Sequence, residues 1–129
     1  VVVEFRDSAW IRAETFSLLR ELGLGFCCVD EPRLKGLLPP VAQATGPIGY
    51  VRFHGRNAQK WWEHEEAWER YDYTYKEEEL AEWVPRLRDL ESETEVTLVY
   101  ANNHYRGQSI GTLRMLQMLL SETQDTGAP

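Results

Sequence analysis

At 129 residues, with 43% hydrophobic and 27% charged side chains, the chain has the size and composition of one globular domain with its own core. No apolar run approaches the ~18 residues of a membrane span, and no basic start leads into the apolar stretch of a secretory signal. The net charge of −7 is uneven, −9 over residues 63–95 and +2 elsewhere, which disfavours extended nucleic-acid binding but not a small anionic ligand.

The chain opens directly in a strand pattern, Val1 to Arg6, without a Met, as expected of a piece trimmed from something longer. Asp7-Ser8 then offers a helix cap. Trp10, Phe16, Leu19 and Leu22 fall near helical spacing, which predicts a helix over about Ala9 to Leu22, ended by Gly23 and Gly25. A second strand, Phe26 to Asp30, carries the adjacent Cys27 and Cys28. Strand neighbours face opposite ways, so the pair reads as buried free thiols and places the chain in a reducing cytoplasm. Glu31 to Pro47, rich in Pro and Gly, reads as loop, and Ile48 to His54 as the third strand.

Gly55 to Tyr75 is a long connection with Trp61, Trp62, Trp68, Tyr71, Tyr73 and Tyr75, and a short helix is expected near Trp62 to Arg70. Its aromatic rings either pack the loop onto the sheet or a partner chain, or stack on a sugar or base at a lid. Leu80, Trp83, Val84, Leu87 and Leu90 form a helical stripe behind Glu77 to Glu79, with Pro85 predicting a kink or an early break. A fourth strand, Val96 to Ala101, leads to Asn102-Asn103-His104. The last helix is expected from about Ser109 to Leu120, with Ile110, Leu113, Leu116 and Leu120 inward. Residues from Ser121 read as a frayed end, giving one domain over 1–122 and a disordered tail over 123–129. The order β-α-β-loop-β-α-β-α argues for an α/β fold with a parallel sheet.

Each strand pattern ends in polar groups, and parallel α/β folds build their sites along that edge. Tyr50, Arg52 and His54 share one face of the third strand, Val51 and Phe53 the other. Arg6, Arg52, Arg56 and Arg106 supply forked donors, and Asn102 and Asn103 neutral ones, a set suited to phosphate or carboxylate. Glu4, Asp30 and His54 are the groups able to move protons. The expected catalytic residues are therefore Glu4 and His54, and the substrate-binding residues Arg6, Arg52, Arg56, Asn102, Asn103 and His104. Each also has a structural reading: Glu4 and Arg6 as an ion pair, His54 as an interior hydrogen-bonded ring, Asp30-Glu31 as loop chemistry, Asn102-Asn103 as a turn or helix cap. No metal-ligand spacing, nucleophile elbow, dinucleotide loop or Walker loop is present, so no metal is expected and no cofactor is assigned.

Val3-Glu4-Phe5-Arg6 with Trp10, the run Tyr50 to Arg56, Tyr71-Asp72-Tyr73 before the Lys76 to Leu80 helix start, and the run Asn102 to Gln108 together resemble the YecE-like family, also called domain of unknown function 72. The resemblance covers nearly the whole chain. It implies a TIM-type (β/α)8 barrel of roughly twice this length, of which this chain would be the C-terminal half, strands five to eight. It carries no established activity. The barrel is similar in outline to metal-dependent sugar isomerases and abasic-site endonucleases, a likeness of fold alone.

Three functions are then weighed. The first is a barrel-type hydrolase or isomerase acting on a small anionic substrate. The second is a nucleic-acid-binding or phosphodiester-processing protein, and the third a half-barrel inactive by itself. Four strands cannot close a barrel, so a second copy, or a missing N-terminal half, is the expected partner.

Overall fold

Short apolar runs between turn signals become four parallel strands, β1 (Val2–Val3), β2 (Gly25–Asp30), β3 (Ile48–Phe53) and β4 (Val96–Ala101), laid side by side in chain order. The computed structural model describes residues 1–103 and 107–127, the side chains beyond residue 122 excepted. In register, Cys27 lies beside Tyr50 and Tyr50 beside Leu98, while Val29, Arg52 and Tyr100 form the next row. Partners in a row share a face, so the sheet has one apolar face and one mixed face. The apolar face, with Phe26, Cys28, Val51, Phe53 and Ala101, is the core. The helices pack onto it.

Strand β1 is shorter than the expected Val1 to Arg6. It is an edge strand paired only at Val2–Gly25 and Val3–Phe26, after which the chain leaves the sheet. Asp7 caps a 3-10 turn at Ser8–Trp10 and not the long helix, its Oδ1 accepting from Ala9 N at 2.8 Å. Trp10 stacks on Phe5, ring centroids 5.2 Å apart, and stays half exposed. Helix α1 (Ala13–Leu22) then buries Thr15, Phe16 and Leu19 and leaves Leu22 outside. It ends where glycine is required: Gly23 has φ 72°, and Leu24 N–H returns to Leu19 C=O at 2.9 Å.

Residues 31–47 carry no helix or strand, as expected, yet Val41, Ala42 and Ala44 pack onto the core where a crossover helix would otherwise lie. The long connection 54–76 contains only a 3-10 segment, Ala67–Tyr71. The stripe from Leu80 to Leu90 is buried throughout but lies on two helices, α2 (Glu77–Ala81) and α3 (Trp83–Glu93). Pro85 explains the break. Its ring would meet the Ala81 carbonyl in a continuous helix, whereas in the first turn of α3 its missing N–H costs nothing.

Helix α4 (Gln108–Gly127) runs past the expected end at Leu120, and residues 128–129 lie outside the described residues, as do the tail side chains from 123. Its inward face is Thr112, Leu116 and Leu119, while Ile110 and Leu113 are exposed. The buried Thr112 hydroxyl explains the rotation: it accepts from Asn103 Nδ2 at 2.9 Å and donates to Gln108 C=O at 3.0 Å. Among the described residues no helix is long and apolar enough to cross a membrane. Cys27 and Cys28 are both buried and unpaired.

Candidate functional site

The mixed face of the sheet is concave and holds a cavity of about 340 Å³ lined by Val2, Glu4, Cys27, Tyr50, Arg52, Tyr100 and Asn102. Period-2 alternation puts them there: Tyr50 and Arg52 on β3, Tyr100 on β4 and Asn102 just after it all point the same way. Glu4 is the hub. Its Oε1 lies 3.1 Å from Arg52 Nη1, 3.4 Å from His54 Nε2 and 3.6 Å from Cys27 Sγ, and its Oε2 lies 3.1 Å from Arg6 Nη2. Burial pushes the Glu4 carboxyl up, but the hydrogen bond and charge of His54 and the charges of Arg52 and Arg6 outweigh it, lowering it to about 2. Burial and the neighbouring Glu4 push the Cys27 thiol up to about 12, which favours its protonated form at neutral pH.

His54 is buried behind Glu4 and is not part of the cavity wall. Asn102 Nδ2 sits 3.0 Å from His54 Nδ1. That contact holds one ring nitrogen and turns the other, Nε2, toward Glu4. Arg52 spends Nη1 on Glu4, and its side chain is 39% exposed.

Two expected binding residues lie elsewhere. Arg56 points to the helix side, where its Nε and Nη2 clasp Asp30 at 2.8 and 2.7 Å and its guanidinium also meets Glu79 and Glu82 at 3.3 and 3.2 Å. Gly55 makes this turn: at φ 94° it reverses the strand's alternation, and a Cβ there would come within 2.9 Å of Tyr73 Cβ. Asp30 is thereby held as the buried partner of Arg56 on the helix side, away from the Glu4 cavity. It is fully buried among Arg56, Tyr75 and Trp83, and those donors hold its carboxyl below the usual range although burial works against them. Asn103 is also buried on the helix side, its Nδ2 donating to Tyr73 C=O and Thr112 Oγ1 at 2.8 and 2.9 Å. His104 and Arg106 lie outside the described residues. Among the described residues no group of three or more His, Cys, Asp or Glu side chains is placed to hold a metal ion.

A family model described as a protein of unknown function, DUF72, matches residues 1–129. The chain belongs to the DUF72 family. It is 31% identical to the UPF0759 protein YunF of Bacillus subtilis over 128 residues, 92% of this chain and 45% of that protein. Its fold is similar to the crystal structure of a DUF72 family protein from Thermotoga maritima, with TM-score 0.87 and 42% identity over 93% of this chain and 45% of the other. A DUF72 family protein from Enterococcus faecalis gives a TM-score of 0.81 at 25% identity over 93% of this chain and 46% of the other. The DUF72 chain thus spans about half the length of the relatives it matches, and its four parallel strands form one half of a barrel of the TIM type.

The DUF72 half-barrel also carries functional candidates that residue chemistry alone did not single out. Tyr100 lines the cavity, and the available signal was its position two residues before Asn102 on the same strand face. A second cavity, of about 180 Å³, opens at the strand ends between Arg6, Glu31, Leu37, Trp61, Trp62 and Arg70. It is assembled from three loops, and no local spacing announces it.

Acid should destabilise the DUF72 chain through its paired carboxylates. Glu4 and Asp30 both ionise more easily folded than unfolded, so their contribution is full above the ordinary carboxylate range and is lost as pH falls through the folded value. Burial raises Glu31 instead, giving it the opposite sign. Urea midpoints should therefore drop steadily between about pH 4.5 and pH 2, and Glu4→Gln should flatten that slope. A midpoint unchanged across this window would contradict the assignment.

Proposed function

We propose that this DUF72 half-barrel supplies the anion-binding and proton-transfer part of an enzyme site for a small anionic substrate, working in a reducing cytoplasmic setting. The observation that carries the reading is Arg52: a half-exposed side chain on the wall of the cavity, with one nitrogen on Glu4 and no other hydrogen bond of its fork among the described residues. Arg6 adds a second cation to the same carboxylate, so the group Glu4, Arg6 and Arg52 has a net positive charge. The adjacent buried thiols support the reducing setting.

The substrate's own charge supplies the switch. A carboxyl held near 2 is too weak a base at neutral pH. An anion that engages Arg52 offsets one of the charges that hold Glu4 ionised, and so raises the Glu4 carboxyl from its depressed position. His54 acts behind it as a positioning residue, fixed by Asn102, and the tyrosines Tyr50 and Tyr100 form the walls.

Calorimetric titration of the chain with inorganic phosphate and small carboxylates tests this. Arg52→Met should weaken binding about tenfold or more, the loss expected for a charge-assisted hydrogen bond. Binding unaffected by Arg52→Met would overturn the reading. A steep fall of affinity with salt, together with binding of single-stranded oligonucleotides, would favour the phosphodiester-processing alternative. The acidic segment 63–95 argues against that outcome.

A further inference from the structure

The second cavity is chemically unlike the first. Arg6 and Arg70 offer donors, Glu31 offers an acceptor, and Trp61, Trp62 and Leu37 offer apolar surface, all around about 180 Å³. Arg70 is fixed in place, its Nε donating to Trp61 C=O at 2.8 Å and its guanidinium lying 5.3 and 5.9 Å from the Trp61 and Trp62 ring centroids. Trp61 is buried and gives the site a rigid back, whereas Trp62 is 64% exposed. Glu31 is itself buried, with Oε1 accepting from Leu38 N at 2.9 Å.

The two cavities share a wall. Arg6 lines the second and pairs through Nη2 with Glu4, which lines the first. Behind that wall the rings of His54 and Tyr71 lie 6.0 Å apart, and those of Tyr71 and Trp61 5.9 Å apart.

We infer that the second cavity is a subsite for a polyhydroxylated ring, so that the substrate is a phosphorylated or carboxylated sugar with its anion on Arg52 and its ring between Trp62, Arg70 and Glu31. This rests on the preceding reading of Arg52 and extends it. Arg6 is already paired with Glu4 and the Arg70 Nε with Trp61 C=O, so the buried Glu31 carboxylate weighs against a second anion in this cavity. The charged side chains decide against a purely apolar ring, which would strip them of water without replacing it. A sugar answers both: its C–H face covers an indole, and its hydroxyls donate to a carboxylate and accept from guanidinium. The volume falls below the ~300–1,000 Å³ of pockets for drug-sized ligands, which limits the occupant to one ring.

The test is titration of the 129-residue chain with glucose 6-phosphate, ribose 5-phosphate, glucose and inorganic phosphate, comparing Trp62→Ala, Trp62→Phe, Arg70→Met and Arg52→Met. The sugar phosphates should bind about tenfold more tightly than inorganic phosphate. Trp62→Ala and Arg70→Met should remove that advantage and leave phosphate affinity unchanged, and Trp62→Phe should retain most of it. Arg52→Met should weaken all the anions together. Circular dichroism confirms that each variant is folded, and exposed Trp62 is a safe position to change. Sugar phosphates that bind no better than phosphate, or whose advantage survives Trp62→Ala, would overturn the subsite while leaving the anion site standing. Trp62-dependent binding of sugars with no effect of Arg52→Met would support the subsite and overturn the anion site instead.

Discussion

Asp30→Ala should leave the chain largely unfolded at room temperature. The Asp30 carboxylate is fully buried and accepts from Arg56 Nε and Nη2, Tyr75 OH and Trp83 Nε1 at 2.8, 2.7, 2.7 and 2.9 Å. Those donors come from the end of β3, the loop before α2 and the start of α3, so one side chain ties β2 to three later segments. Removing one partner of a buried, hydrogen-bonded ion pair costs about 3–5 kcal/mol, since the remaining charge stays buried. A whole domain is stable by about 5–15 kcal/mol, and this open half-sheet belongs at the lower end. Asp30→Asn should be milder, keeping the shape and one acceptor while losing the charge that Arg56 requires. Urea denaturation followed by far-ultraviolet circular dichroism reads the effect. A midpoint for Asp30→Ala equal to that of the parent would show that Glu79 and Glu82 hold Arg56 by themselves.

Asp30 also shows how far the sequence could be read. Strands, their order and most of the core follow from short apolar runs and from the stripe Leu80 to Leu90, since burial and period are local signals. The motifs carrying the family resemblance were equally legible, and the half-barrel bears that resemblance out. What sequence reading lacked was the side of the sheet. Arg52 and Arg56 look equivalent as strand-end cations, yet Gly55 at φ 94° turns the second one away. Asp30 lies in register with Phe53, an apolar position on the helix face, and Asn103 follows Ala101 on that same face. Alternation counted across the register separates Arg52, Tyr100 and Asn102 from Asp30, Arg56 and Asn103; polarity alone does not. The second cavity was beyond reach because Arg6, Glu31 and Trp62 meet only through tertiary placement.

The concave face that makes the site also leaves the chain unfinished. Strands β1 and β4 are edges, each with one unpaired side, and Ile48, Val96 and Tyr100 stay 40%, 51% and 47% exposed. Ile48 and Val96 are partners in one row of the mixed face, with Tyr100 further along β4 on that same face. Open edges beside exposed apolar side chains recruit further strands. In the relatives, this chain corresponds to 45% of the polypeptide. In a solution containing this chain alone, the available complement is a second copy, whose sheet has the same four parallel strands. Sedimentation velocity at micromolar concentration should therefore show a dimer, and its thermal midpoint should climb with concentration, each tenfold increase adding about 1.4 kcal/mol of apparent stability. Val96→Lys combined with Tyr100→Glu places charges on the contact face and should yield a monomer with a lower, concentration-independent midpoint. A parent chain that stays monomeric when dilute and melts cooperatively at one temperature would show that the half-barrel closes its exposed face without a partner.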